Sequence, residues 1–133
     1  MKKLILFFIA MLMGTTAFAE SFILDNQSHY PNPKEKSTLA IQWASSAKDV
    51  EENNNKLRQD SKLDKHSLLA LTQTGKLHLT IPKKIEYFRV LAWTHGSKKP
   101  TLVTNWVSII PDKTYALDDA HLIPVVLMAG MGC

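Results

Sequence analysis

Apolar and polar side chains along residues 20–133 alternate mostly with the period of strands. Thr38 to Ala44 places Leu39, Ile41 and Trp43 on one face and Thr38, Ala40 and Gln42 on the other, as a half-buried strand requires. Glu86 to Thr94 and Thr101 to Ile109 are the two clearest strands and are joined across His95-Gly96-Ser97-Lys98-Lys99-Pro100. In the first, Phe88, Val90 and Ala92 alternate with Tyr87, Arg89, Leu91 and Trp93. In the second, Val103, Val107 and Ile109 are expected on one face and Thr104, Trp106 and Ser108 on the other. Shorter strands are expected at Ser21 to Leu24, Leu68 to Thr72, Lys76 to Ile81 and Thr114 to Leu117, and Ile123 to Met128 reads as a buried terminal strand. Gln73-Thr74-Gly75 predicts a hairpin between two of them, with Gly75 at positive φ and Leu77, Leu79 and Ile81 turned inward. Asp25 to Ser37, with Asn26, Ser28, Pro31, Asn32 and Pro33, predicts a long loop.

One helix interrupts this pattern, within Ser45 to Asp60. Ser46 is placed to cap it with Asp49 three residues on, Glu51 and Glu52 come early, and Lys56 and Arg58 come late, the order the helix dipole favours. Ala47, Val50 and Leu57 make a thin apolar stripe that Asn53-Asn54-Asn55 breaks, so a short peripheral helix near 46–59 is expected. The sum is a mainly β chain: an antiparallel β-sandwich of about seven strands, immunoglobulin-like in architecture, with a small β-barrel as the alternative. The immunoglobulin Cys pair is missing, so the likeness is one of architecture.

The first nineteen residues follow another pattern. Lys2 and Lys3 precede an apolar run from Leu4 to Met13, and Thr16-Ala17-Phe18-Ala19 ends in small-x-small, the signature of a secretory signal cleaved after Ala19. The run is shorter than the roughly 18 residues a spanning helix needs, so no membrane anchor is expected in the mature form. Residues 20–133 then read as a single domain, periplasmic or extracellular, with no linker or repeat to divide it. Of 133 residues 45% are hydrophobic and 21% charged, which excludes disorder, and a single Cys excludes a disulfide scaffold. The formal charge of +4 includes Lys2 and Lys3, so the mature chain carries 14 basic against 12 acidic residues. That near-balance argues against a nucleic-acid partner.

Candidate chemistry is concentrated on one strand face. Tyr87, Arg89, Trp93, Thr104, Trp106 and Ser108 combine amphipathic aromatics with hydrogen-bonding groups, the surface that suits a protein partner or a sugar ring. The competing reading is that the helix or a loop covers them. A second pattern lies at the C-terminus, where Met128, Met131 and Cys133 offer soft ligands for copper and His121 an imidazole if the chain folds back. This supports the alternative of a periplasmic copper-binding protein, although there is no Met repeat and no second Cys. An odd Cys in an oxidising compartment also raises a Cys133-linked homodimer. Catalytic motifs are missing: there is no G-x-S-x-G, no H-E-x-x-H and no Gly-rich phosphate loop. The sequence therefore predicts an exported, non-enzymatic recognition protein without a cofactor, binding an unidentified protein or glycan.

Overall fold

The computed structural model describes residues 19–127. The expected secretory signal, Ala19 apart, and the expected copper ligands Met128, Met131 and Cys133 lie outside the described residues. Nine strands form two sheets that face each other as a sandwich, with no closed barrel. β1 (Ser21–Asn26) is the centre of a three-stranded sheet, between β4 (Gly75–Thr80) and β8 (Thr114–Leu117). The second sheet runs in the order β3 (Leu68–Leu71), β2 (Thr38–Ala44), β5 (Tyr87–Trp93), β6 (Leu102–Val103) and β9 (Ile123–Pro124), and β7 (Val107–Ser108) also pairs with β5. Every pairing is antiparallel except β1 with β8, which is parallel.

The core between the sheets follows from the alternation. Phe22 and Leu24 of β1 meet Leu39, Ile41 and Trp43 of β2 and Phe88, Val90 and Ala92 of β5, the inward set expected for β2 and β5. Phe22 stacks on Phe88 at 4.9 Å between centroids and meets Trp43 edge-on at 6.1 Å. The opposite face of β2 and β5 is covered by helix α1 (Ala47–Arg58), where Leu57, Leu91 and Val103 form a second apolar cluster. Ser46 caps α1 as expected, its Oγ accepting from the Asp49 N–H at 3.1 Å.

Two expectations are corrected. β3 and β4 are not a hairpin: β3 pairs with β2 and β4 with β1, so the chain crosses from one sheet to the other at residues 72–74. Gly75 does take positive φ, at 89°, and Leu77 and Leu79 do face the core. What fixes the crossing is Asn26, buried at the end of β1, whose Nδ2 donates to the Gln73 carbonyl at 3.2 Å and to the Tyr30 carbonyl at 2.8 Å. The second correction concerns the last strand, which pairs only over Ile123–Pro124; Val126 and Leu127 are 73% and 56% exposed. Proline at position 124 removes a ladder donor there. Among the described residues no helix is long and apolar enough to cross a membrane.

Candidate functional site

The strand after His95–Pro100 is broken into β6 and β7 by one extra residue. Leu91 stands opposite Val103, yet Phe88 stands opposite Val107, so Arg89 and Val90 face the three residues Thr104, Asn105 and Trp106. This is a β-bulge, and it reverses the parity of everything beyond it. Val103 packs under α1 with Leu91, while Val107 and Ile109 pack between the sheets. The expected common faces of Val103, Val107 and Ile109, and of Thr104, Trp106 and Ser108, are therefore corrected. Thr104 turns toward the inter-sheet side and Trp106 toward the helix. The bulge also costs Val90 its ladder acceptor, and Thr104 replaces it: its Oγ1 accepts from the Val90 N–H at 2.9 Å and donates to the Asn105 carbonyl at 2.9 Å.

Arg89 is fully buried beneath α1. Its Nε donates to Gln42 Oε1 at 2.7 Å, Nη1 to Asn54 Oδ1 at 2.8 Å and Nη2 to the Asn53 carbonyl at 3.3 Å. The Trp106 ring lies 4.4 Å from the guanidinium carbon, and its Nε1 donates to the same Asn54 oxygen at 2.9 Å. No carboxylate pairs with Arg89 among the described residues. Burial of the guanidinium accordingly pulls its pKa down to about 10, which leaves it charged at neutral pH. The Asn53-Asn54-Asn55 run that thins the helix's apolar stripe is thus the partner of a buried cation. An Arg in the middle of an apolar strand was the signal that could have matched the two.

Trp93 lies at the other end of the same face. It is half-buried and lines a groove of about 390 Å³ with Leu57, Leu63, Leu68, Pro100 and Val125. Lys62, Lys65, Lys98 and Lys99 line it too, and Asp60 is the only acid among the described lining residues. Lys99 pairs with Asp60, which leaves three of the four lysines without an acidic partner among the described residues. Lys98 and Lys99 come from the β5–β6 connection, and Lys62 and Lys65 from the segment after α1, so the two loops converge only in the fold.

The six residues expected on one face are therefore divided. Trp93 borders the lysine groove, Arg89 and Trp106 form the core of a polar cluster under α1, and Thr104 lines the space between the sheets. Tyr87 is half-buried and pairs with Ala44 and with the exposed Ser108 at the far end of β5. His121 is exposed, its Nδ1 accepting from the Asp118 N–H at 3.1 Å in a capped turn. No group of three or more His, Cys, Asp or Glu side chains gathers among the described residues. Compared with known proteins, the chain matches no family model, no curated protein and no solved structure. Function has to be argued from the grooves themselves.

Proposed function

We propose that the chain is an exported, non-enzymatic recognition protein that binds an acidic glycan at the Trp93 groove. The observation that carries this reading is the combination of one half-exposed indole with Lys62, Lys65, Lys98 and Lys99 around a concave site of about 390 Å³. An indole face offers a flat apolar surface against the C–H face of a sugar ring, and ammonium groups at the rim attract carboxylates without requiring a fixed geometry. Of the residues expected from sequence, Trp93 carries this proposal; Arg89 and Trp106 are engaged with α1 and support the strand that bears it.

The test is calorimetric titration of the secreted chain with oligogalacturonate, and with a neutral malto-oligosaccharide of equal length. Binding of the acidic oligomer alone, weakened by about tenfold in Trp93→Ala and again in Lys98→Ala/Lys99→Ala, is the expected result. Equal binding of the neutral oligomer, or no change in Trp93→Ala, rejects the reading. Rising salt should weaken the acidic complex, because the lysines are exposed and screened.

A further inference from the structure

The opposite face of the second sheet holds a separate cavity. Where the bulge parts β6 from β7, a slot of about 370 Å³ opens between the sheets, walled by Leu24, Leu117, Phe88, Val90, Val107 and Ile123. Such a volume lies near the low end of ligand cavities, about 300–1,000 Å³. The slot exists because of the bulge. In an unbroken register Trp106 would point between the sheets, but the extra residue turns it toward the helix and leaves Thr104 and Val107 on this side.

Tyr115 lines the slot as well. Its hydroxyl donates to the Ser108 carbonyl at 3.0 Å and accepts from the Ile110 N–H at 2.7 Å, tying β8 to the end of β7 across the gap between the sheets. Asn105, Ala116, Ala120 and His121 also line the slot, and all four are exposed, so the opening is polar on one side. With His121 Nδ1 accepting from the Asp118 N–H, Nε2–H is the ring's donor. Nε2 makes no hydrogen bond among the described residues, and the Asn105 side chain adds a second donor in the same rim.

We propose that this slot binds a single-chain fatty acid, with the chain among Leu24, Phe88, Val90, Val107 and Leu117 and the carboxylate at His121 and Asn105. An apolar cavity of this size does not suit ordered water, which needs several polar partners, but does suit hydrocarbon. The volume takes one chain of medium length and not a diacyl lipid. Two donors at the rim call for an acceptor head, so an alkylammonium of the same length is disfavoured by both the missing hydrogen bonds and the absence of any acid among the lining residues.

The experiment is titration of the chain with decanoate, and in parallel with decyltrimethylammonium, each below its micelle concentration, followed by backbone amide NMR shifts. The expected result is saturable decanoate binding, with shifts centred on Val90, Val107, Leu117 and His121, and a weaker response to the cation. Ala120→Trp and Asn105→Trp each block the opening from an exposed position, so folding is retained by near-UV circular dichroism while decanoate affinity falls by about tenfold or more. Two variants at separate positions keep the test decisive if one fails to fold. Unchanged affinity in a folded blocking variant, no saturable binding, or equal binding of both amphiphiles overturns the proposal. Shifts at Trp93 and Lys99 instead would place the ligand in the lysine groove and overturn it as well.

Discussion

The two faces of β5 solve the problem of a short, interrupted strand in opposite ways. On the helix side, Arg89 spends its donors on Gln42, Asn53 and Asn54, and Trp106 closes over it, so a buried charge is held by neutral groups alone. On the inter-sheet side, Thr104 repairs the single amide that the bulge strands and leaves apolar walls around an unfilled slot. One face is held mainly by directional bonds, with Gln42 Nε2 alone of that cluster left without a partner among the described residues, and the other by non-directional packing with room to spare. Substitutions should accordingly be costly on the first face and, Thr104 apart, tolerated on the second. The same bulge serves both, because it turns Trp106 out of the space between the sheets and onto the helix.

The largest effect should come from Arg89→Ala. Gln42 Oε1 loses its donor, Asn54 Oδ1 keeps only the bond from Trp106, and a large buried side chain leaves a cavity, so a destabilisation of about 3–5 kcal/mol is expected in urea denaturation. A loss below about 1 kcal/mol would mean that the polar cluster is not a closed network and would erase the contrast between the faces. Thr104→Val comes next. It keeps the shape, strands the buried Val90 N–H, and should cost about 1–3 kcal/mol. Thr104→Ser retains the hydroxyl and should recover most of that loss, which separates the hydrogen bond from the packing.

How far the sequence foretold this arrangement depended on whether period alone decided the answer. The inward sets of β2 and β5, the Ser46 cap and the positive φ of Gly75 were all legible, because alternation and local turn chemistry act over a few residues. The crossing at residues 72–74 was not, since a Gly-containing turn looks the same whether its strands pair with each other or with β1 and β2. Asn26, forty-seven positions away, makes the choice. The bulge was hidden for a related reason: Thr104-Asn105-Trp106 alternates as well as any strand, and only the partner's register shows the extra residue. For the site, the grouping of Tyr87, Arg89, Trp93 and Trp106 on one face was legible from β5, whereas the lysines around Trp93 come from two loops that sequence spacing does not bring together.

Asn54→Asp sharpens the contrast from the other direction. The Asn54 oxygen already accepts from both Arg89 and Trp106, so a carboxylate there keeps both bonds and gives the buried cation a counter-charge. The expected gain is about 1 kcal/mol at neutral pH, modest because the carboxylate must also be desolvated. Its sign with pH is fixed. The guanidinium holds the new Asp below its unfolded value of about 3.9, so the gain is present above that pH and is lost as pH falls through the folded value. Arg89 behaves in the opposite sense in the wild type: with burial pulling its pKa down to about 10, the folded state binds fewer protons than the unfolded one from about that pH upward. Its contribution to stability therefore rises with pH across that window, and Asn54→Asp should flatten the rise. A loss of stability in Asn54→Asp at pH 7 would show that the neutral partners already satisfy the cation.

The smallest effect is predicted where the other face has room. Ala120 is exposed in the capped turn after β8 and borders the slot, so Ala120→Leu adds three carbons beside the unfilled space. In a close-packed core such an insertion costs about 1–3 kcal/mol through strained rotamers and backbone shifts. Here the change should stay within about 0.5 kcal/mol of zero, with any gain coming from apolar area removed from water. Thermal unfolding of the two chains in the same buffer measures this directly. A penalty of core size would mean that the sheets close over the slot in solution, and the difference between the two faces of β5 would then reduce to the polar cluster alone.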